Sequence, residues 1–179
     1  MNGRLRFDAA RGAHAQATVR LQVPFHDVDA AGVVWHGHYV KYIEIARSAL
    51  LDSIGFGHAR MLASDHYWPV VSLTARYVQP LRLDQHFEVT AALVECDLRL
   101  RVRYALRALA HADEAQQLAD VQDTPAAGDA RGAKGVQGAR GRHRIASAET
   151  IQVAVRRADG ALCIGLPEEF RRCVPGACA

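Results

Sequence analysis

Hydrophobic and polar positions alternate with period two in residues 18–25, where Val19, Leu21, Val23 and Phe25 fall on one side and Thr18, Arg20 and Gln22 on the other. That pattern predicts a half-buried strand. Residues 26–38 are rich in Gly, Asp and His and read as a loop. From Tyr39 the period lengthens. Tyr39, Tyr42, Ile43, Ala46, Leu50 and Ile54 recur at helical spacing, with Lys41, Glu44, Arg47 and Asp52 on the other side. The spacing predicts an amphipathic helix of about four turns, closed by Gly55.

Residues 57–68 are irregular, with room for a short helical turn. Alternation returns after Pro69. Val71, Leu73, Ala75 and Tyr77 mark one strand, ended by Pro80, and Phe87, Val89, Ala91 and Leu93 mark the next. Leu98, Leu100, Val102, Tyr104 and Leu106 mark another, with Arg99, Arg101, Arg103 and Arg107 opposite. Ile151, Val153 and Val155 mark the last strand, with Arg156 and Arg157 at its end. Residues 111–147 hold no aromatic side chain and many Ala and Gly, so they read as a flexible hairpin insertion with an acidic first half and a basic second half. One long helix against an antiparallel five-stranded sheet is an α+β arrangement. The expected organisation is a flexible tail at 1–15, one domain at 16–173 and a short tail at 174–179. An open sheet leaves edges that invite a second copy of the chain.

Composition narrows the picture by exclusion. A net charge of +3 in 179 residues lacks the clustered basic stripe of a nucleic-acid binder. The row of arginines on one strand has no interleaved aromatic platform and reads as a solvated face. No stretch approaches the roughly 20 apolar residues of a membrane span, and residues 1–15 lack the apolar segment of a secretory signal. Cys96, Cys163, Cys173 and Cys178 form no C-x-x-C pair, so they are expected to be reduced thiols in a cytoplasmic protein.

The chemistry sits in residues 25–47, F-H-D-V-D-A-A-G-V-V-W-H-G-H-Y-V-K-Y-I-E-I-A-R. Asp27 and Asp29 precede a helix start, and Gly32 supplies freedom for a sharp turn. A helix N-terminus offers unpaired N–H groups and a positive dipole end that can hold a developing oxyanion. A nearby carboxylate can attack, or can activate water that attacks. The pair suits acyl transfer to water. An Asx turn is the plain structural alternative for Asp29. His36 and His38 form H-x-H beside His26 and Asp27, but without the spacing of an established metal motif, so no metal is expected. Tyr39 and Tyr42 read as core, His38 as a supporting or surface residue, and Glu44 with Arg47 as a local pair.

The block Phe25, Asp27, Asp29, Gly32, Val33, Val34, His36, Tyr39, followed by Tyr42, Glu44, Ala46 and Arg47, resembles the signature of the 4-hydroxybenzoyl-CoA thioesterase family of hotdog proteins, most closely its YbgC-type branch. A-R-Y-V-Q-P-L-R-L-D-Q (75–85) resembles the family's strand and R-L-D turn, and L-P-E-E-F (166–170) its end. The resemblance implies a hotdog fold and an acyl-CoA thioesterase. It implies Asp29 as nucleophile or general base, the His36 N–H polarising the thioester carbonyl, and the His36 side chain assisting. Gly32, Val33, Val34 and Trp35 would contact substrate, and Asp27 would be structural. It further implies a homodimer or homotetramer with the substrate at the subunit interface. No cofactor is expected, since coenzyme A is part of the substrate. The insertion exceeds the family's short connection, and its basic half lies near where members often bind CoA phosphates. A hotdog dehydratase would need a different loop, and a regulator an added DNA-binding module. An acyl-ligand binder, or a thioesterase for acyl-carrier protein in a lipid or envelope complex, remains the alternative. The acyl group is open.

Overall fold

The computed structural model describes residues 12–109, 143–174 and 176. Its centre is a five-stranded antiparallel sheet in the order β1-β4-β5-β6-β3. The strands are β1 (Ala15–Gln22), β3 (Val70–Tyr77), β4 (His86–Glu95), β5 (Leu100–Ala108) and β6 (Arg144–Gln152). A two-stranded ribbon, β2 (His66–Tyr67) with β7 (Val155–Arg156), lies beside it. The helices are α1 (His38–Ser53), α2 (His58–Ala63) and the short α3 (Glu168–Arg171). This is the hotdog arrangement, with α1 packed mainly on β1 and β4. Among the described residues no helix is long and apolar enough to cross a membrane.

Helix α1 follows its sequence period closely. Tyr39, Tyr42, Ile43, Ala46 and Leu50 are buried, joined by Leu51. Ile54 caps the helix, and Gly55 sits at φ +73°, a left-handed conformation that favours glycine. Phe56 N–H then donates to Leu51 O and Gly55 N–H to Asp52 O, satisfying carbonyls that a helix end otherwise leaves open. On the sheet, Phe87, Val89, Ala91, Leu93, Leu100, Val102, Tyr104 and Leu106 form the inner face as their alternation requires.

Four expectations need correction. Phe25 does not continue the buried row of β1. The strand ends at Gln22, Pro24 starts a 3-10 turn, and Phe25 is exposed. Leu98 lies in the turn before β5 and is exposed. The last long strand begins at Arg144, inside the expected insertion, and its inner row is Ala146, Ala148, Thr150 and Gln152. Ile151 pairs with Arg101 on the other face, and Val155 belongs to the small ribbon. Polar residues are tolerated inside because they are bonded. Gln152 accepts from Arg47 and donates to Trp68 O, and Thr150 shares a hydrogen bond with Tyr104. Finally, order extends past both expected tail boundaries. His14 N–H bonds Leu93 O, β1 starts at Ala15, and Val174 is buried. Residues 111–142 of the expected insertion, with Arg131, Lys134, Arg140 and Arg142 of its basic half, lie outside the described residues.

The arginine row on β5 proves to be part of a salt-bridge ladder. Arg99 and Arg101 meet Glu95, and Arg103 meets Glu149. The local pair of Glu44 and Arg47 also forms. Strand β3 differs from every other. It is an edge strand that α1 meets only near Ala75 and Tyr77, and Val71, Leu73 and Tyr77 are all exposed.

Candidate active site

The site is built by the chain between β1 and α1. After Val23, which is fully buried, the 3-10 turn Phe25–Asp27 reverses direction. Val28 and Val34 then form an isolated antiparallel bridge, and the turn between them is closed by Asp29 N–H to Val33 O and Gly32 N–H to Asp29 O. Gly32 at φ +75° makes that closure possible, since an L side chain is strained there. Val34 N–H bonds Leu81 O and Trp35 N–H bonds Asp27 O, fixing the far side of the loop.

Asp29 sits exposed on this turn. Its Oδ1 accepts the Ala31 N–H at 2.8 Å, and Oδ2 has no partner among the described residues. The Asx turn and the catalytic reading are therefore compatible, because one oxygen holds the carboxylate and the other stays free. His36 follows Trp35 at the entrance to α1. Its side chain is exposed, with its ring 4.8 Å from that of Trp35, and its carbonyl accepts Tyr77 O–H at 3.0 Å. The backbone N–H groups of His36 and Gly37 have no acceptor among the described residues. They carry the positive end of the α1 dipole, worth about half an elementary charge. No hydrogen bond or ion pair joins Asp29 to His36 among the described residues.

Of the residues expected to touch substrate, Val34 lines a groove and Trp35 lies over the helix start. A Cβ on Gly37 would come within 2.0 Å of the Trp35 ring. Gly32 and Val33 shape the Asp29 turn. The groove holds ≈ 350 Å³ and is walled by Val34, His36, Tyr39, Tyr77, Val78 and Pro80. Tyr39, read as core, is buried yet also forms this wall, and its oxygen accepts the Leu81 N–H at 3.1 Å. Burial pushes the Tyr39 phenol above its ordinary pKa, and the Leu81 bond only partly offsets that.

Asp27 has the structural part expected of it. It is fully buried and receives hydrogen bonds from Lys41 Nζ at 2.6 Å and Tyr42 O–H at 2.7 Å, with His38 Nδ1 lying 3.2 Å away. Burial alone would raise its pKa. The hydrogen bonds from Lys41 and Tyr42 and the charges of Lys41 and His38 outweigh that, so the carboxyl stays below its ordinary value of 3.8. The same burial, with Asp27 alongside, drives the Tyr42 phenol far above its usual range. His38, Lys41 and Tyr42 lie three and four residues apart on α1, so one helix face clamps the loop. That spacing was visible in the sequence, and it is the signal that Asp27 had partners. Tyr77, Gln79 and Pro80 of the groove carried no comparable sign.

A sequence model of the Thioesterase-like superfamily matches residues 23–170. The acyl-CoA thioester hydrolase YbgC of Escherichia coli O6:H1 is 35% identical over 69 residues, 38% of this chain and 52% of that protein. The curated relatives matched here are spanned over only 40% to 59% of their own length. Among solved structures, the 4-hydroxybenzoyl CoA thioesterase of Pseudomonas sp. strain CBS-3 superposes with a TM-score of 0.63 at 17% identity, covering 89% of this chain and 99% of that one. The 1,4-dihydroxy-2-naphthoyl-CoA thioesterase Slr0204 from Synechocystis gives 0.65 at 16% identity, covering 88% and 94%. These structural likenesses carry the fold. The match over residues 23–170, which takes in the Asp29 loop, α1 and most of the sheet, places the chain in the Thioesterase-like superfamily.

Proposed function

We propose that this protein is an acyl-CoA thioesterase of the cytoplasm, cleaving an acyl-CoA thioester with water to a carboxylic acid and coenzyme A. The observation that carries the reading is the pairing on one loop of a held, half-free carboxylate at Asp29 with open N–H groups at His36 and Gly37, beside an apolar groove. In the general-base route Asp29 takes a proton from water, the oxygen adds to the thioester carbon, and the tetrahedral oxyanion is held by the N–H groups at the α1 start. The C–S bond then breaks and the thiolate leaves with a proton. In the nucleophilic route the Asp29 carboxylate itself adds, the C–S bond breaks with coenzyme A leaving as its thiolate, and water cleaves the resulting anhydride to the free acid and the Asp29 carboxylate. Each oxyanion donor is worth about 3–4 kcal/mol in such sites. Relatives named as acyl-CoA thioester hydrolases support this reading.

The partner is a second copy of the chain. The free edge of β3, with Val71, Leu73, Tyr77 and Val78 exposed, is the apolar edge a soluble sheet protein covers, whereas the other edge, β1, turns Gln16, Thr18, Arg20 and Gln22 outward. The test of function is thiol release from acetyl-, butyryl-, octanoyl- and benzoyl-CoA and from the matching acyl-carrier-protein thioesters. Turnover of at least one CoA ester at kcat/KM above about 10⁴ M⁻¹s⁻¹ is expected. Turnover of carrier-protein esters alone changes the donor, and no turnover on either makes the protein an acyl-ligand binder.

A further inference from the structure

The groove beside His36 does not end at the protein surface. Behind it, under α1, lies a second and much smaller cavity of ≈ 10 Å³, about one water, lined by Val40, Ile43, Ala75, Leu106, Ala146, Ser147 and Ala148. All of these but Ser147 are apolar, and three are alanine. Tyr39 and Tyr77 line both spaces. Their rings meet edge to face, 5.0 Å apart at 75°, and form the wall between them. Tyr77 is held in that position from outside, because its O–H donates to the His36 carbonyl at 3.0 Å. Tyr39 is anchored from inside by the Leu81 N–H. The two rings differ in burial. Tyr39 is 5% exposed and built into α1, whereas Tyr77 is 46% exposed in the single chain, at the end of edge strand β3.

We infer that Tyr77 is the residue that limits acyl length, closing the groove against the apolar space under α1 so that the site takes a compact acyl group. The inference rests on the thioesterase reading for its substrate, while the gate itself is a statement about binding. With the ring in place the inner cavity has no room for a methylene chain. Truncation at Tyr77 joins the groove to a pocket floored by Ala75, Ala146 and Ala148, which an extended chain can fill. Each methylene that becomes buried strengthens binding by about fourfold.

The test compares kcat/KM for butyryl- and octanoyl-CoA in the wild type, Tyr77→Phe and Tyr77→Ala. The wild type favours butyryl-CoA. Tyr77→Ala raises the octanoyl-to-butyryl ratio by about tenfold or more, and Tyr77→Phe, which keeps the ring and loses only the bond to His36, leaves it within about twofold. Adding Ala148→Val to Tyr77→Ala refills the inner space and abolishes the gain, which separates a gate from general loosening. Calorimetric binding of non-hydrolysable butyryl and octanoyl thioether analogues of CoA gives the same comparison without turnover. A shift in the binding ratio with no hydrolysis by any form upholds the gate and removes the thioesterase reading. A wild type that already prefers octanoyl, or a ratio unmoved by Tyr77→Ala in both assays, overturns the gate.

Discussion

Replacing Asp27 by Asn tests whether the buried carboxylate is what holds the active-site loop on α1. The side chain keeps its size, but its amide presents a donor where Lys41 and Tyr42 both donate to the carboxylate. Tyr42 is 3% exposed, so its hydroxyl has no water to turn to, and an unmet buried donor costs about 1–3 kcal/mol. Lys41 is about half exposed, and its released charge is largely hydrated, so that share is discounted to under about 1 kcal/mol. A loss of about 1–4 kcal/mol follows, which in a chain of this size lowers Tm by roughly 3–12 °C. The pH dependence has a definite sign. The folded pKa of Asp27 lies below 3.8, so its contribution is complete above the unfolded value and fades as pH falls through it towards the folded value. Thermal and urea melts of both proteins at fixed concentration, from pH 7 down to about 3, therefore show a gap that is widest at neutral pH and narrows in acid. A gap under about 0.5 kcal/mol at pH 7, or one that widens in acid, refutes the clamp.

Two further outcomes follow from the geometry. Gly32→Ala forces a side chain into the left-handed region at φ +75° and costs about 1–2 kcal/mol, while moving the Asp29 turn, so kcat falls with only a modest loss in melting temperature. Leu73→Lys places a charge in the middle of the exposed β3 edge, so light scattering finds a monomer where the wild type is a dimer or tetramer; an unchanged mass removes β3 as the interface.

Much of this fold was legible because one face of each element is apolar and the other is not. Helix α1, β4 and β5 meet that condition, and within them the residues the period selects are buried, with Leu51, Glu88, Ala92 and Ala105 buried in addition. Strand β6 inverts it. Its inner face carries Ala146, Ala148, Thr150 and Gln152, small or bonded side chains opposite the large Tyr104, while Ile151 lies outside, so hydrophobicity alone picks the wrong face. The small ribbon of β2 and β7 is too short for any period to register. At the site, Asp29, Gly32 and His36 stood out as loop residues at a helix start. Tyr77 did not, because its role depends on Tyr39 and His36, which are 38 and 41 residues away and reach it only through the fold.

The central claim is that Asp29 performs chemistry at the open end of α1. The most direct measurement is single-turnover cleavage of the preferred acyl-CoA by the wild type and by Asp29→Asn, with ligand affinity determined in parallel. The amide still accepts the Ala31 N–H through its oxygen, so the turn and the binding constant are retained. The account predicts a cleavage rate lowered by about 10²–10⁴-fold with affinity changed by less than about threefold. Cleavage at an undiminished rate by Asp29→Asn contradicts it and removes Asp29 from the reaction.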